Sequence, residues 1–417
     1  MSVDVREISL HDAVKFIVDN RGKTVPTADN GIPLIATNCI KNNGLFPVFE
    51  KIRFVSEETY KTWFRSHPEP GDIIFVNKGT PGRVCLVPNP VNFCIAQDMV
   101  ALRVDESVIY PKYLFAALRS DYIQNVIENM HVGTLIPHFK KSDFERLMIP
   151  VPDEVTQKYI GNLYYDLSMA IELNNQINKT LEEMAQAIFK SWFVDFEPFR
   201  DGEFEESELG LIPKGWKIVE LEEICSIQNG FAFKSSDYQD TGCRLIRTTN
   251  ITSNGYVNNN DIKFLPQSFY ESEKYKNYRF ECFDTVLVMV GASIGKIGLI
   301  TEYNLPSLQN QNMWRFRANN REISSVYIHY VVRRVNEFVS NWATGSARDF
   351  YRKESFQRAK CVLPPKNVMK EFRLLTDSLF IQISSNIMEN ALLLEIRDIL
   401  LPKLMSGEIR VPVEEVV

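Results

Sequence analysis

Four kinds of short cluster in this 417-residue sequence carry side chains suited to holding a polyanion or the edges of bases, and each kind occurs twice. Asn77-Lys-Gly-Thr-Pro-Gly-Arg83 and Val290-Gly-Ala-Ser-Ile-Gly-Lys296 are glycine-rich turns that combine a hydroxyl with a terminal cation. Small residues let backbone amides approach an anion, so Lys78, Thr80, Arg83, Ser293 and Lys296 are candidate phosphate ligands. Gly133-Thr-Leu-Ile-Pro-His-Phe-Lys-Lys141 and Gly345-Ser-Ala-Arg-Asp-Phe-Tyr-Arg-Lys353 again pair glycine and hydroxyl with cations, adding Thr134, Lys140, Lys141, Ser346, Arg348, Arg352 and Lys353. The third kind is Thr37-Asn38 against Arg247-Thr-Thr-Asn250, and the fourth is Gln97-Asp98 against Gln309-Asn-Gln-Asn312. Arg, Asn and Gln present paired donors and acceptors that match base edges, which selects Asn38, Gln97, Arg247, Asn250, Asn310, Asn312 and Arg348, with Thr249 beside them. Any one cluster alone reads more readily as a solvated turn; recurrence of all four at equivalent places favours the binding reading.

The recurrence follows from a tandem repeat. Pro33-Leu-Ile-Ala-Thr-Asn-Cys-Ile40 aligns with Arg244-Leu-Ile-Arg-Thr-Thr-Asn-Ile251, and Gly71-Asp-Ile-Ile-Phe-Val76 with Phe283-Asp-Thr-Val-Leu-Val288. Each unit opens with apolar runs of four to seven residues broken by Gly, Pro and Asn, which predict strands and loops. Each ends in a long helix. The first starts after Pro150-Val-Pro152, where Asp153 can cap free amides and Glu154 suits the helix dipole. Apolar residues then recur at steps of three and four through Ile160, Leu163, Leu167, Ile177, Leu181 and Met184, with Asn174 in the middle. The matching positions in the second helix include Leu375, Leu379, Asn386, Leu393, Ile396 and Leu400. Two arrangements fit this heptad spacing: helices packed separately on their own domains, or an antiparallel coiled coil in which the two Asn fix register. The second places some 30 helical residues in a rod of about 45 Å.

The fold class expected is α+β: two similar α/β domains joined by two long helices that form an antiparallel coiled coil with pseudo-two-fold symmetry. The boundaries expected are a first domain at 1–152, a helical region at 153–200, a linker at 201–216, a second domain at 217–365 and a second helical region at 366–417.

Composition restricts the function classes. Lys+Arg number 47 against 53 Asp+Glu, a net charge of −6, which argues against bulk nonspecific coating of nucleic acid. By segment the nets are 0 over 1–150, −9 over 151–210, +5 over 211–365 and −2 over 366–417, so an acidic helix and linker mask a neutral and a basic domain. No apolar run reaches membrane-spanning length and the N-terminus lacks a signal pattern, so a soluble, cytoplasmic protein is expected. The seven scattered cysteines predict buried reduced thiols. No catalytic or metal-binding pattern is present. Gly291-Ala-Ser-Ile-Gly-Lys-Ile297 is one residue short of a phosphate loop and lacks its metal-binding hydroxyl. There is no GxGxxG, HExxH or Asn-Pro-Pro-aromatic motif, and the five histidines form no ligand set.

The whole arrangement resembles the specificity (S, HsdS) subunits of type I restriction-modification enzymes. The residues that carry the resemblance are Ile188-Phe-Lys-Ser-Trp-Phe-Val-Asp-Phe-Glu-Pro-Phe199, Ser207-Glu-Leu-Gly-Leu-Ile-Pro-Lys-Gly-Trp216 and Leu400-Leu-Pro-Lys-Leu-Met-Ser-Gly-Glu-Ile-Arg410. It implies a non-catalytic DNA reader whose two target-recognition domains each bind half of a bipartite site, with the coiled coil fixing the spacer. It also implies two modification (M) subunits that carry S-adenosylmethionine and methylate adenine, and restriction (R) motor subunits that use ATP and Mg, with no cofactor on this chain. The second seam departs from expectation at Gln382 and Glu389. The alternative is a protein-protein scaffold without intrinsic sequence readout.

Overall fold

The computed structural model describes residues 6–20, 24–130, 137–343 and 351–411. The chain divides into two compact units, 1–174 with 390–417, and 175–389. Both long helices are shared between units, whereas the sequence-based boundaries kept each helix apart from the domains.

In the first unit, β1 (Arg6–Ser9), β2 (Val14–Val18), β3 (Ile32–Ile35), β4 (Arg53–Val55), α1 (Glu57–Thr62), β5 (Ile73–Val76), β6 (Val84–Leu86), β7 (Cys94–Ile95) and β8 (Met99–Val104) lead to α2 (Pro111–Arg119), α3 (Asp121–Met130) and β9 (Met148–Val151). A four-stranded sheet runs β2-β8-β5-β6, and a three-stranded sheet runs β4-β3-β7. Side chains alternate across a strand, and here both faces are covered. Ile73 and Phe75 of β5 join the core beneath α2, while Ile74 and Val76 join the core between the sheets with Ile35 and Ile95. β3 and β7 run parallel, pairing Leu34 with Cys94 and Ile35 with Ile95.

The second unit repeats this plan. It contains β12 (Lys217–Glu220), α5 (Leu221–Ile224), β13 (Cys225–Asn229), β14 (Cys243–Ile246), β15 (Lys263–Leu265), α6 (Gln267–Glu271), β16 (Thr285–Val288), β17 (Ile297–Leu299), β18 (Ser307–Gln309), β19 (Met313–Ala318), α7 (Ser325–Ala343), α8 (Lys353–Gln357) and β20 (Lys360–Leu363). Its sheets run β13-β19-β16-β17 and β15-β14-β18, with β14 and β18 parallel. The stretch read as a plain linker is folded: β10 (Phe204–Ser207) and β11 (Gly210–Pro213) form an antiparallel hairpin.

One feature common to both units is absent from the sequence reading. Asp72, buried just before β5, accepts from Arg103 Nε and Nη2 at 3.1 Å each and from the Glu69 amide at 2.8 Å. Asp284 accepts from Arg317 Nε at 2.7 Å and Nη2 at 2.5 Å, and from the Glu281 amide at 2.8 Å. The clips tie the start of the central strand to its neighbour.

The helices α4 (Glu154–Phe193) and α9 (Lys366–Met405) each have 40 residues, longer than the seam implied. Asp153 caps α4, its Oδ1 accepting from the Thr156 amide at 3.0 Å. Within the first unit, Ile160 and Tyr164 share a core with Leu401 and Leu404, and Asn174 Nδ2 donates to Asn390 Oδ1 at 3.0 Å. Within the second, Asn386 Nδ2 donates to Asn178 Oδ1 at 2.8 Å, and Phe193 lies 4.8 Å from Phe372. In each unit the partner number falls as the α4 number rises, so the helix pair is antiparallel.

The seam differs from the sequence reading in phase. Ile177, Met184, Leu375 and Ile396 are 46, 48, 48 and 45% exposed and therefore lie outside it. The buried face of α4 passes through Ile160, Tyr164, Ser168, Ile171, Ala185, Phe189 and Phe193; that of α9 passes through Phe372, Thr376, Phe380, Ile383, Asn386, Asn390, Arg397, Leu401 and Leu404. Leu163, Leu167, Asn174, Leu181, Leu379, Leu393 and Leu400 are half-buried at its flanks. Of the polar residues inside, Thr376, Asn386 and Asn390 are hydrogen-bonded, whereas the Ser168 hydroxyl has no hydrogen-bond partner among the described residues. Thr376 Oγ1 donates to the Phe372 carbonyl at 2.9 Å, and the Arg397 guanidinium sits 5.2 Å from the Tyr164 ring centroid.

Candidate nucleic-acid interface

In the first unit, the strand order brings the clusters to one end of the sheets. β5 ends at Val76 and opens into the turn 77–83. Gly79 and Gly82 have φ of +88° and +87°, which favour glycine, and the turn closes through Gly82 N to Val76 O at 3.0 Å. The Asn77 and Lys78 amides donate to the Asp98 carbonyl at 2.9 and 3.2 Å. The Phe139 amide donates to the Asn77 carbonyl at 2.8 Å, and Asn77 Nδ2 returns a bond to the Phe139 carbonyl at 3.0 Å. Lys78, Gln97 and Lys140-Lys141 are thereby stitched together. Ala96 N donates to Ile35 O at 2.8 Å, which sets the Thr37–Cys39 turn beside them.

The second unit builds the same constellation with different side chains. Val288 N bonds Lys296 O at 2.9 Å, Met289 N bonds Asn312 O at 3.2 Å, and Tyr351 N bonds Met289 O at 2.9 Å. Asn310 N donates to Ile246 O at 3.1 Å, which carries the Thr248–Asn250 turn to the same end. An amide from the helical layer steadies each glycine turn: Gln124 Nε2 donates to Gly82 O at 2.9 Å, and Asn336 Nδ2 to Gly295 O at 3.0 Å. Sequence reasoning missed both, although they stand at equivalent places in the repeat.

The candidates divide by exposure and by what their polar atoms already do. Lys78, Lys140, Lys141, Thr249, Lys296, Asn312 and Arg352 are exposed; Arg83, Gln97, Ser293, Asn310 and Lys353 are half-buried. Asn38 is exposed, but its Nδ2 already donates to the Glu50 carbonyl at 2.5 Å. Two assignments are corrected. Asn250 is fully buried, its Oδ1 accepting from the Arg247 amide at 3.0 Å and its Nδ2 donating to the Asn260 carbonyl at 2.9 Å, so it is a latch and has no free edge for a base. The Thr80 oxygen is buried and faces no surface anion. Arg247 is half-buried, with Nη2 on the Asp261 carbonyl at 2.7 Å, which leaves part of its fork available. Thr134, Ser346 and Arg348 lie outside the described residues.

No group of His, Cys, Asp and Glu among the described residues has the geometry of a metal site. The cysteines are free thiols, six of them buried, and burial pushes Cys94 and Cys361 up to about 12. His329 is buried against Thr285 Oγ1 at 3.1 Å, and burial, aided by the Arg333 charge, pushes it down to about 3. It is therefore a neutral core histidine at physiological pH.

The family described as type I restriction modification DNA specificity domain matches residues 3–183 and again 213–372. The chain belongs to that family. As a specificity-domain protein it is 25% identical over 408 residues to the type I restriction enzyme HindI specificity subunit of Haemophilus influenzae, covering 81% of this chain and 86% of that one. It is 22% identical over 389 residues to the MjaIX specificity subunit of Methanocaldococcus jannaschii, covering 91% and 87%. The crystal structure of a type I restriction-modification S subunit from M. genitalium shares the fold, with a TM-score of 0.60 at 16% identity over 96% of both chains. The two family matches fall on the two copies of the internal repeat, so each unit holds one specificity domain.

Proposed function

We propose that this specificity-domain protein is the non-catalytic DNA-reading subunit of a type I restriction-modification enzyme, each unit binding one half of a bipartite target. The observation that carries the reading is the twofold assembly of the same constellation. In both units a glycine turn, a cation pair and an Asn/Gln turn converge at one sheet end through matching backbone hydrogen bonds. Lys78, Lys140, Lys141, Lys296 and Arg352 neutralise phosphates and fix the position of the duplex. Gln97, Arg247, Asn310 and Asn312 reach base edges. The net charge of −6 does not oppose this, because the acidity is concentrated in residues 151–210.

Methylation and cleavage belong to partner subunits in this reading, with S-adenosylmethionine held by modification subunits and ATP and Mg by restriction subunits. Apolar side chains outside the helix seam support docking of modification subunits there. In the second unit Leu374, Ile381 and Met388 recur every seven residues on α9 and are exposed; in the first, Leu392 and Ile399 are exposed one heptad apart. A stripe at that spacing faces one direction and can bury its apolar area against a helix of a partner. The experiment is selection from a randomised duplex library by the full chain with its modification subunits. Recovery of two short motifs at fixed spacing, with affinity falling steeply between low and moderate salt, supports the reading. Salt-insensitive binding without a motif favours the scaffold alternative.

A further inference from the structure

We propose that Asn229 reads a base edge in the half-site of the second unit, and that Gly230 and Gln309 are positioning residues that hold it beside the Asn310–Asn312 turn. The proposal rests on the DNA-reading function above and names a specificity determinant within it.

Asn229 ends β13, where it pairs with Trp314 of β19, while Val288 at the end of β16 pairs with Met313. The ladder thus sets Asn229 in one row with Trp314 and Leu287, with Asn312 two residues before Trp314 and the turn toward Lys296 opening after Val288. Asn229 is exposed, and its side-chain amide makes no hydrogen bond to a described residue. The next residue explains how it is held. A Cβ on Gly230 would stand 1.7 Å from the Asn310 carbonyl oxygen and 2.5 Å from its carbon, so only glycine permits this backbone approach. The Phe231 amide then donates to the Gln309 carbonyl at 3.2 Å. Gln309 is fully buried, and its Nε2 donates both to the Gln228 carbonyl at 3.1 Å and to the Met313 carbonyl at 3.0 Å. One amide therefore pins the end of β13 and the start of β19 beside the Asn310-Gln-Asn312 tip, of which Gln311 and Asn312 are exposed.

The first unit lacks this device, although its scaffold is the same. Ile17 pairs with Leu102 as Ile227 pairs with Phe316, which puts Asp19-Asn20 where Asn229-Gly230 stand. Asn20 is buried and spent on structure, donating to the Ser66 carbonyl at 3.1 Å and accepting from the Arg65 amide at 3.0 Å. Ile95 occupies the place of Gln309, since each pairs with the last residue of the parallel strand beside it. The glycine and glutamine supports are therefore a property of the second unit.

An asparagine amide matches the N6/N7 edge of adenine, whereas a carboxylate accepts from cytosine N4. The test uses the full chain with its modification subunits and a randomised duplex library, comparing wild type with N229A, N229D, G230A and Q309L. The expected result is that N229A relaxes one base pair of one half-site by about 5- to 150-fold. The other half-site and the affinity for random duplex should be unchanged. N229D should move the preference at that base pair toward cytosine. G230A and Q309L should relax the same base pair, which loss of general stability would not single out. An unchanged motif in N229A overturns the proposal. So does a uniform loss across all sequences, because that marks a phosphate contact. A wild-type chain that enriches no motif refutes the DNA-reading function itself. If G230A fails to fold, N229A and N229D still decide, since Asn229 is an exposed side chain.

Discussion

Removing the buried carboxylate at Asp72 should destabilise the first unit while leaving the second untouched. Asp72 is 3% exposed, and its two oxygens take two Arg103 bonds at 3.1 Å and the Glu69 amide at 2.8 Å. Breaking such a buried pair from one side costs about 3–5 kcal/mol, mostly because the partner charge stays behind without its counter-charge. Two features put this site at the lower end, about 3 kcal/mol. The Arg103 side chain is 22% exposed, and Glu69 remains 2.9 Å from its Nη1. The assay is hydrogen exchange read by peptide mass, under conditions where opening and closing are at equilibrium. At about 1.4 kcal/mol per decade, D72A should lower protection of the β5 and β8 amides by roughly 150-fold, with β16 and β19 unchanged. The double variant D72A/R103M should recover at least half of the loss, because no charge is then stranded. If the double variant loses as much as D72A, the clip acts only by packing and the electrostatic reasoning is wrong. A change of less than about threefold in D72A would refute it as well.

Three further outcomes are expected. K140A/K141A should weaken binding to all duplexes alike and reduce the log-log salt slope by about 0.9 for each phosphate left without its cation; a changed motif would reassign them to bases. Buried His329, held down to about 3, contributes stability that is present above its unfolded value near 6.5 and is lost as pH falls. Between pH 6.5 and 4.5 the second unit should lose about 2 kcal/mol that H329Q does not lose, as read from urea midpoints at the two pH values. Lengthening α4 and α9 by one heptad each adds about 10 Å of helix and should widen the selected spacer by about three base pairs, leaving both half-sites unchanged. Unchanged spacing in the selected duplexes would remove the helix pair as the ruler.

The sequence disclosed those parts of the fold that depend on repetition and on strand alternation. Ile73–Val76 and Met99–Val104 are read as apolar runs and form β5 and β8, because a strand covered on both faces is nearly all apolar, Arg103 of the Asp72 clip being the exception. The repeat also located the turns that converge at one end, since matched spacing in two diverged units implies matched geometry. The phase of the helix seam was not legible, for a specific reason: α4 and α9 each carry apolar residues on more than one face. Ile177 and Met184 satisfy a heptad template as well as Ala185 and Phe189 do, and no single-helix pattern says which stripe meets the partner helix and which stays outside. Asn250 failed for a related reason. Its residue type matches a base edge, but the same paired donor and acceptor also close a backbone turn, and burial decided in favour of the turn. Asn229 shows the converse. Its signal is the glycine that follows it, and a glycine speaks for close approach only once the strand it meets is known. Side-chain chemistry can nominate a reader of bases, but whether an amide faces the duplex or its own backbone is settled by the neighbours that occupy its hydrogen bonds.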